Sequence, residues 1–165
     1  MQLIRRTGDF AAPPERVFAV IADPAFHTDK VRRTSEGDGG SATVDPDGDG
    51  VRIETVRLLA TAGFPDFVRA VVGSRLTVRE ISLWGAADAT GARVGTLSVS
   101  VVGAPVTLRA SLALTPTATG TTEIVDAQLR AAVPLLGGKV EQAATPALLA
   151  SIDTELDLLR ARLRA

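Results

Sequence analysis

AAVPLLGGKVEQ, residues 131–142, decides how this chain ends. The run before it, Thr122 to Val133, alternates Val125, Ala127, Leu129, Ala131 and Val133 against Asp126, Gln128 and Arg130. That is the pattern of a strand with one apolar and one wetted face. Pro134 cannot donate to a sheet ladder, so the strand is expected to stop there. Gly137 and Gly138 give the backbone freedom to reverse. Beyond them Val140, Ala144, Leu148, Ile152, Leu156, Leu159 and Leu163 fall on one helical stripe, while Glu141, Asp153, Asp157, Arg160 and Arg164 fall elsewhere. Pro146 sits inside that pattern. Either it kinks a single helix by removing the bond to the Gln142 carbonyl, or Thr145 caps a second helix with Pro146 in its first turn. The stripe stays in phase across the proline, which favours one long helix with a bend. The stretch therefore reads as the hinge from which a terminal helix lies back across the sheet.

Working outward, Gln2 to Phe10 reads as a strand. Pro13-Pro14 opens a short helix with Val17, Phe18, Val20 and Ile21 on its apolar face, and Asp23-Pro24 caps and starts another carrying Phe26, Lys30 and Val31. Ser35 to Gly40 is a loop. The period then changes to two: a short strand at Ala42 to Val44, a turn at DPDGDG, and a strand from Val51 to Ala60. FPDFVRAVVG, Phe64 to Gly73, interrupts with a short helix. Arg75 to Trp84 carries Leu76 and Val78, then Ile81 and Leu83, a change of phase that predicts a bulge near Arg79-Glu80. Arg93 to Val102 and Val106 to Leu114 alternate as two more strands.

The bulk properties exclude several function classes. Eighteen Lys and Arg balance 19 Asp and Glu, for a formal net charge of -1, and no basic run offers the footprint of a nucleic-acid binder. The absence of cysteine removes disulfides, thiolate nucleophiles and cysteine metal sites. No apolar run reaches the ~18 residues of a membrane span, and Met1 to Phe10 lacks a signal-peptide core. A single cytoplasmic domain, residues 1–165, without stable membrane insertion, is the expectation. Hydrophobic residues make up 45% of the chain and aromatics only 4%, a composition suited to lining an aliphatic cavity and equally to codon bias.

The order of elements, with FPDFVRAVVG, the strand ending Leu83-Trp84-Gly85, GAPV (Gly103 to Val106) and VPLLGGKVE (Val133 to Glu141), resembles the START-like superfamily. That superfamily includes the birch-pollen allergen type, polyketide cyclases and lipid-transfer proteins. The text is most similar to an uncharacterised bacterial branch. The resemblance implies an α+β helix-grip fold: a curved, seven-stranded antiparallel sheet wrapped around a long C-terminal helix, with two short helices after the first strand and one between the third and fourth. It also implies an apolar cavity that binds a small hydrophobic molecule, lipid, sterol-like or polyketide-like, without catalysis and without cofactor or metal, in a monomer or weak homodimer. The same resemblance leaves room for a cyclase or dehydratase, or for a protein-interaction module. On it, the ligand-contacting candidates are Phe26, Thr55, Arg57, Phe64, Phe67, Val71, Trp84, Val99, Leu112, Leu129, Leu148 and Ile152.

Individual motifs carry less. Asp45, Asp47, Asp49 and Gly50 match the first half of a calcium loop, but Val56 stands where a bidentate Glu belongs, and Asp and Gly suit a hairpin turn. His27, the single histidine, reads as a surface or cap residue, although its place beside Phe26 could put it at a cavity mouth. Trp84 fits a cavity wall or a plain core. Phe64 and Phe67 fit a lid or a satellite cluster. Arg57 shares a strand face with Val51, Ile53, Thr55 and Leu59 and could anchor an acidic head group, yet Val56 and Leu58 make the other face apolar too, so it reads as solvated. Glu80 is the one comparable carboxylate, which leaves no acid/base pair to propose.

Overall fold

The computed structural model describes residues 1–165. Strand β1 (Gln2–Phe10) is followed by helices α1 (Pro14–Ile21) and α2 (Pro24–Thr34), then β2 (Ser41–Asp47), β3 (Gly50–Ala60) and helix α3 (Asp66–Val72). Strands β4 (Arg75–Trp84), β5 (Arg93–Val101), β6 (Val106–Thr117) and β7 (Gly120–Ala131) lead into α4 (Gly137–Arg164). The seven strands form one antiparallel sheet in the order β1-β7-β6-β5-β4-β3-β2. The first two strands in sequence thus lie on opposite edges, and α1 and α2 must cross the open end of the sheet to connect them. The helix-grip architecture follows: a curved sheet holding α4 on its inner face.

Alternation decides which face turns inward. Val106, Leu108, Ala110, Leu112 and Leu114 of β6 are all buried, as are Val125, Ala127, Leu129 and Ala131 of β7. Against them α4 sets Val140, Leu156 and Leu159, while α1 adds Val17 and Ile21. Burying each of these Val, Leu and Ile side chains is worth about 1.5–3 kcal/mol, so the two long hairpin strands and the terminal helix dominate the core. Asp23 caps α2 as its sequence suggests, its side chain accepting from the Ala25 amide at 2.9 Å. The helix packs on β2 and β3.

Several local expectations need correction. The register between β3 and β4 runs without interruption from Val51↔Trp84 to Ala60↔Arg75, and that between β4 and β5 is equally regular, so there is no bulge at Arg79-Glu80. The change of phase has another cause: Leu76, Val78, Glu80 and Trp84 all lie on the buried face, and one of the inward positions is a carboxylate. Strand β2 runs on through Asp45-Pro46-Asp47, leaving a tight turn closed by Asp47↔Gly50. A proline is tolerated there because β2 is a sheet edge. Strand β7 ends at Ala131, short of Val133.

The opening stretch forms a compact reversal. Leu135 takes a positive φ of 63° and is fully exposed, and the Gly137 amide closes a turn onto the Val133 carbonyl at 2.9 Å. Helix α4 then runs as one element through Pro146. Glu141, expected on its polar side, is only 3% exposed and accepts from the Ala131 amide at 3.0 Å, tying the helix start to the end of the last strand. No helix is long and apolar enough to cross a membrane.

Candidate functional site

Between the inner face of the sheet and α4 lies a cavity with two lobes. The smaller, about 60 Å³, is bounded by Ile21, His27 and Lys30 of the short helices, by Ile53, Thr55, Glu80, Ser82, Trp84, Leu97, Leu112, Glu123 and Val125 of the sheet, and by Ile152, Glu155, Leu156 and Leu159 of α4. The larger, about 150 Å³, is walled mainly by aliphatic side chains, among them Leu76, Val78, Val99, Val101, Val106, Leu108, Leu129, Ala144 and Leu148. Glu80, Leu97, Val125, Ile152 and Glu155 border both lobes and mark where they meet.

A charged cluster occupies that junction. Glu80, 9% exposed, receives Lys30 Nζ at 3.3 Å on one carboxylate oxygen and the Arg57 guanidinium on the other. Lys30 also reaches Glu155 of α4 at 2.5 Å, and Arg57 donates to Ser151 Oγ at 3.3 Å. Lys30 and Arg57 are 4% and 5% exposed, so both charges are buried and both are paired. The cluster links α2, β3, β4 and α4 around one carboxylate.

Electrostatics follow from this packing. Burial alone would raise the pKa of Glu80, but the positive charges of Lys30 and Arg57 outweigh it and hold the carboxylate at about 2. Burial likewise works against the charge on Lys30, and Glu155 and Glu80 overcome it to keep the ammonium form. Glu123 has no such compensation. Burial, reinforced by the charge of Glu155 and only partly opposed by Lys30, pushes it up to about 8, so it is a neutral acid at pH 7. His27 is moved the other way: burial lowers its pKa, against the pull of Glu155. Its Nε2 lies 2.7 Å from the Ile21 carbonyl. A carbonyl only accepts, so Nε2 carries the proton and Nδ1 is a bare acceptor. That Nδ1 is buried without a partner, as are Thr55 Oγ1 and Arg57 Nε.

Nine of the twelve candidate positions border the cavity. Thr55, Trp84 and Leu112 line the smaller lobe, Arg57, Phe64, Val99, Leu129 and Leu148 the larger, and Ile152 both. Phe26, Phe67 and Val71 do not. Phe26 is packed into the core edge-on to His27, with ring centroids 5.1 Å apart, and the other two pack against the core from α3. Arg57 is not solvated and His27 is not a surface residue, being 3% exposed, because each has a buried partner that a hydropathy pattern does not show. Glu80 is not alone among carboxylates: Glu123 and Glu155 join it, with Lys30. The signal for Glu123 was its parity with Val125 and Ala127 on the apolar face of β7.

Residues 6–163 match the model of the family described as protein of unknown function, DUF2505. No curated protein sequence matches the chain significantly. Similar solved structures include the protein TTHA0849 from Thermus thermophilus, 15% identical, with a TM-score of 0.65 over 98% of this chain and 97% of that one. A STAR-related lipid transfer protein from Xanthomonas axonopodis aligns at 13% identity and a TM-score of 0.62, over 99% and 86% of the two chains. Norcoclaurine synthase from Thalictrum flavum, in complex with dopamine and hydroxybenzaldehyde, aligns at 13% identity and a TM-score of 0.55, over 98% and 87%. These likenesses show a shared helix-grip fold.

Proposed function

The chain belongs to the DUF2505 family, and from that premise we propose that it binds or carries a small, largely hydrophobic molecule in the cavity between sheet and α4, without transforming it. One observation carries this reading: a cavity whose larger lobe is aliphatic and whose smaller lobe gathers unpartnered polar atoms. Such an interior suits a ligand with an apolar body and a polar end. Solved structures of the same fold that are named for lipid transfer or hold small aromatic molecules support it. The protein would act as a single cytoplasmic domain, as a monomer or weak homodimer. Native mass spectrometry of the purified protein, with organic extraction of its contents, tests the proposal. Contents identical to those of an unrelated control, together with no uptake of an apolar fluorophore, would sink it.

A second reading, an enzyme of the cyclase or dehydratase kind, rests on Arg57, Glu80 and His27, which all lie inside rather than facing solvent. Turnover of a polyketide-like substrate that survives in neither the His27→Ala nor the Arg57→Met variant is the result that would favour it.

A further inference from the structure

The fixed charges at the cavity junction are already matched. Lys30 and Arg57 face Glu80 and Glu155, and each cation meets at least one carboxylate. Nothing there awaits a charged ligand. The unsatisfied hydrogen-bonding capacity is of a different kind and is concentrated around the smaller lobe. His27 Nδ1 needs a donor and Thr55 Oγ1 has no partner, in residues 3% and 2% exposed. Glu123 lines the same lobe, and neither a hydrogen bond nor a facing cation of its own holds it ionised. Arg57 Nε is also unpartnered, but the rest of that guanidinium is committed to Glu80 and Ser151.

Building on the ligand-binding reading above, we infer that the cavity selects a small uncharged amphiphile bearing a hydroxyl group, an alcohol or a phenol, over a carboxylate or an ammonium with the same apolar body. A hydroxyl both donates and accepts. It can give its proton to His27 Nδ1 while its oxygen accepts from Thr55 or from the neutral carboxyl of Glu123. A carboxylate only accepts, leaves His27 Nδ1 unmet and adds a negative charge beside Glu80 and Glu155. An ammonium donates to His27 but adds a positive charge beside Lys30 and Arg57. Either ion gives up its hydration for a site with no free counter-charge, and that penalty exceeds what its hydrogen bonds return. Size points the same way: an apolar space of about 150 Å³ is that of an engineered cavity that takes up benzene, so the apolar body is a short chain or a single ring.

Displacement of an apolar fluorophore by 1-octanol, octanoate and octylammonium at pH 7 tests the inference. Octanol is expected to compete at least about tenfold more tightly than either ion, the ratio that a 1.4 kcal/mol difference gives. Octanoate or octylammonium competing as well as octanol overturns the inference while leaving the ligand-binding reading intact. A protein that takes up neither the fluorophore nor any of the three compounds overturns both. The Glu155→Gln variant supplies an independent arm. It leaves the junction with one excess positive charge, so octanoate should gain about tenfold relative to octanol. An unchanged ratio in that variant contradicts the charge-matching argument, and a cooperative thermal unfolding transition like that of the wild type shows that the variant is folded.

Discussion

Arg57 and Glu80 form an ion pair diagonally across two neighbouring strands. In register Arg57 stands opposite Val78 and Glu80 opposite Thr55, so the guanidinium reaches along the inner face to a carboxylate one pleat away. Diagonal neighbours are within reach of long side chains. The pair therefore needs no distortion of the sheet, and it leaves the second carboxylate oxygen free for Lys30 on α2.

Removing that shared carboxylate strands two buried cations. Glu80→Ala is expected to destabilise the protein by about 3–5 kcal/mol, the usual cost of breaking a buried pair from one side. Glu54→Ala removes a carboxylate that meets Arg52 and Arg79 on the outer face and should barely move the midpoint. Urea unfolding of the two variants checks the contrast, and equal losses would show that burial of the Glu80 cluster is not what matters. The pH dependence has a definite sign. Glu80 titrates near 2 in the fold and at an ordinary 4.5 otherwise. Its contribution is thus complete above about 4.5 and is lost as pH falls towards 2.

The sheet and the terminal helix were legible because their residues obey the two simple periods, and Leu108, Leu112 and Leu148 have no other place to go. The charged half of the site was not. A hydropathy pattern assigns every Lys, Arg and Glu to water, which holds for Arg130 and fails for Lys30, because only a partner supplied by a distant strand makes its burial tolerable. Glu80 shows the failure most clearly. Its inward position produced a break in the apolar alternation, and a break is also what a bulge produces. Lys30 lies 50 residues from Glu80 and 125 from Glu155, so no local window holds the explanation.

Glu123 predicts alkaline weakening. The folded protein holds its proton up to about 8, whereas an ordinary glutamate loses it near 4.5. Between those values the native state binds a proton that the unfolded chain does not, so stability falls as pH rises and levels off above about 8. The limiting slope is about 1.4 kcal/mol per pH unit, lessened by whatever water reaches the cavity. Glu123→Gln should flatten the decline between about pH 5 and pH 8. A wild-type midpoint that is constant over that range would remove the neutral, half-buried acid from the picture.

Filling the larger lobe should separate binding from stability. Ala144 lines it from α4 and packs against the core. Leucine there projects into existing space, so Ala144→Leu is expected to abolish most uptake of an apolar fluorophore. Its thermal midpoint should hold or rise slightly, since the new methyls fill a void instead of displacing neighbours. A large drop in midpoint would mean that the lobe is not open to Ala144, and unchanged uptake would mean that the ligand lies elsewhere.

The two glycines of the final reversal should differ sharply, although they are adjacent. A Cβ on Gly137 would sit 2.4 Å from the Ala131 carbonyl oxygen, a backbone atom that the last strand holds in place. A Cβ on Gly138 would meet nothing within 4 Å. Gly137→Ala therefore forces the first turn of α4 away from the end of β7 and strains the contact between Glu141 and the Ala131 amide. It should cost at least about 1–3 kcal/mol, the usual range for overpacking. Gly138→Ala restricts the unfolded chain and suits a helix, and should add about 0.5–1 kcal/mol. Paired urea titrations decide the matter: opposite signs establish that α4 is pinned against the end of β7 through Gly137, whereas two small effects of the same sign would show that the reversal has room to shift.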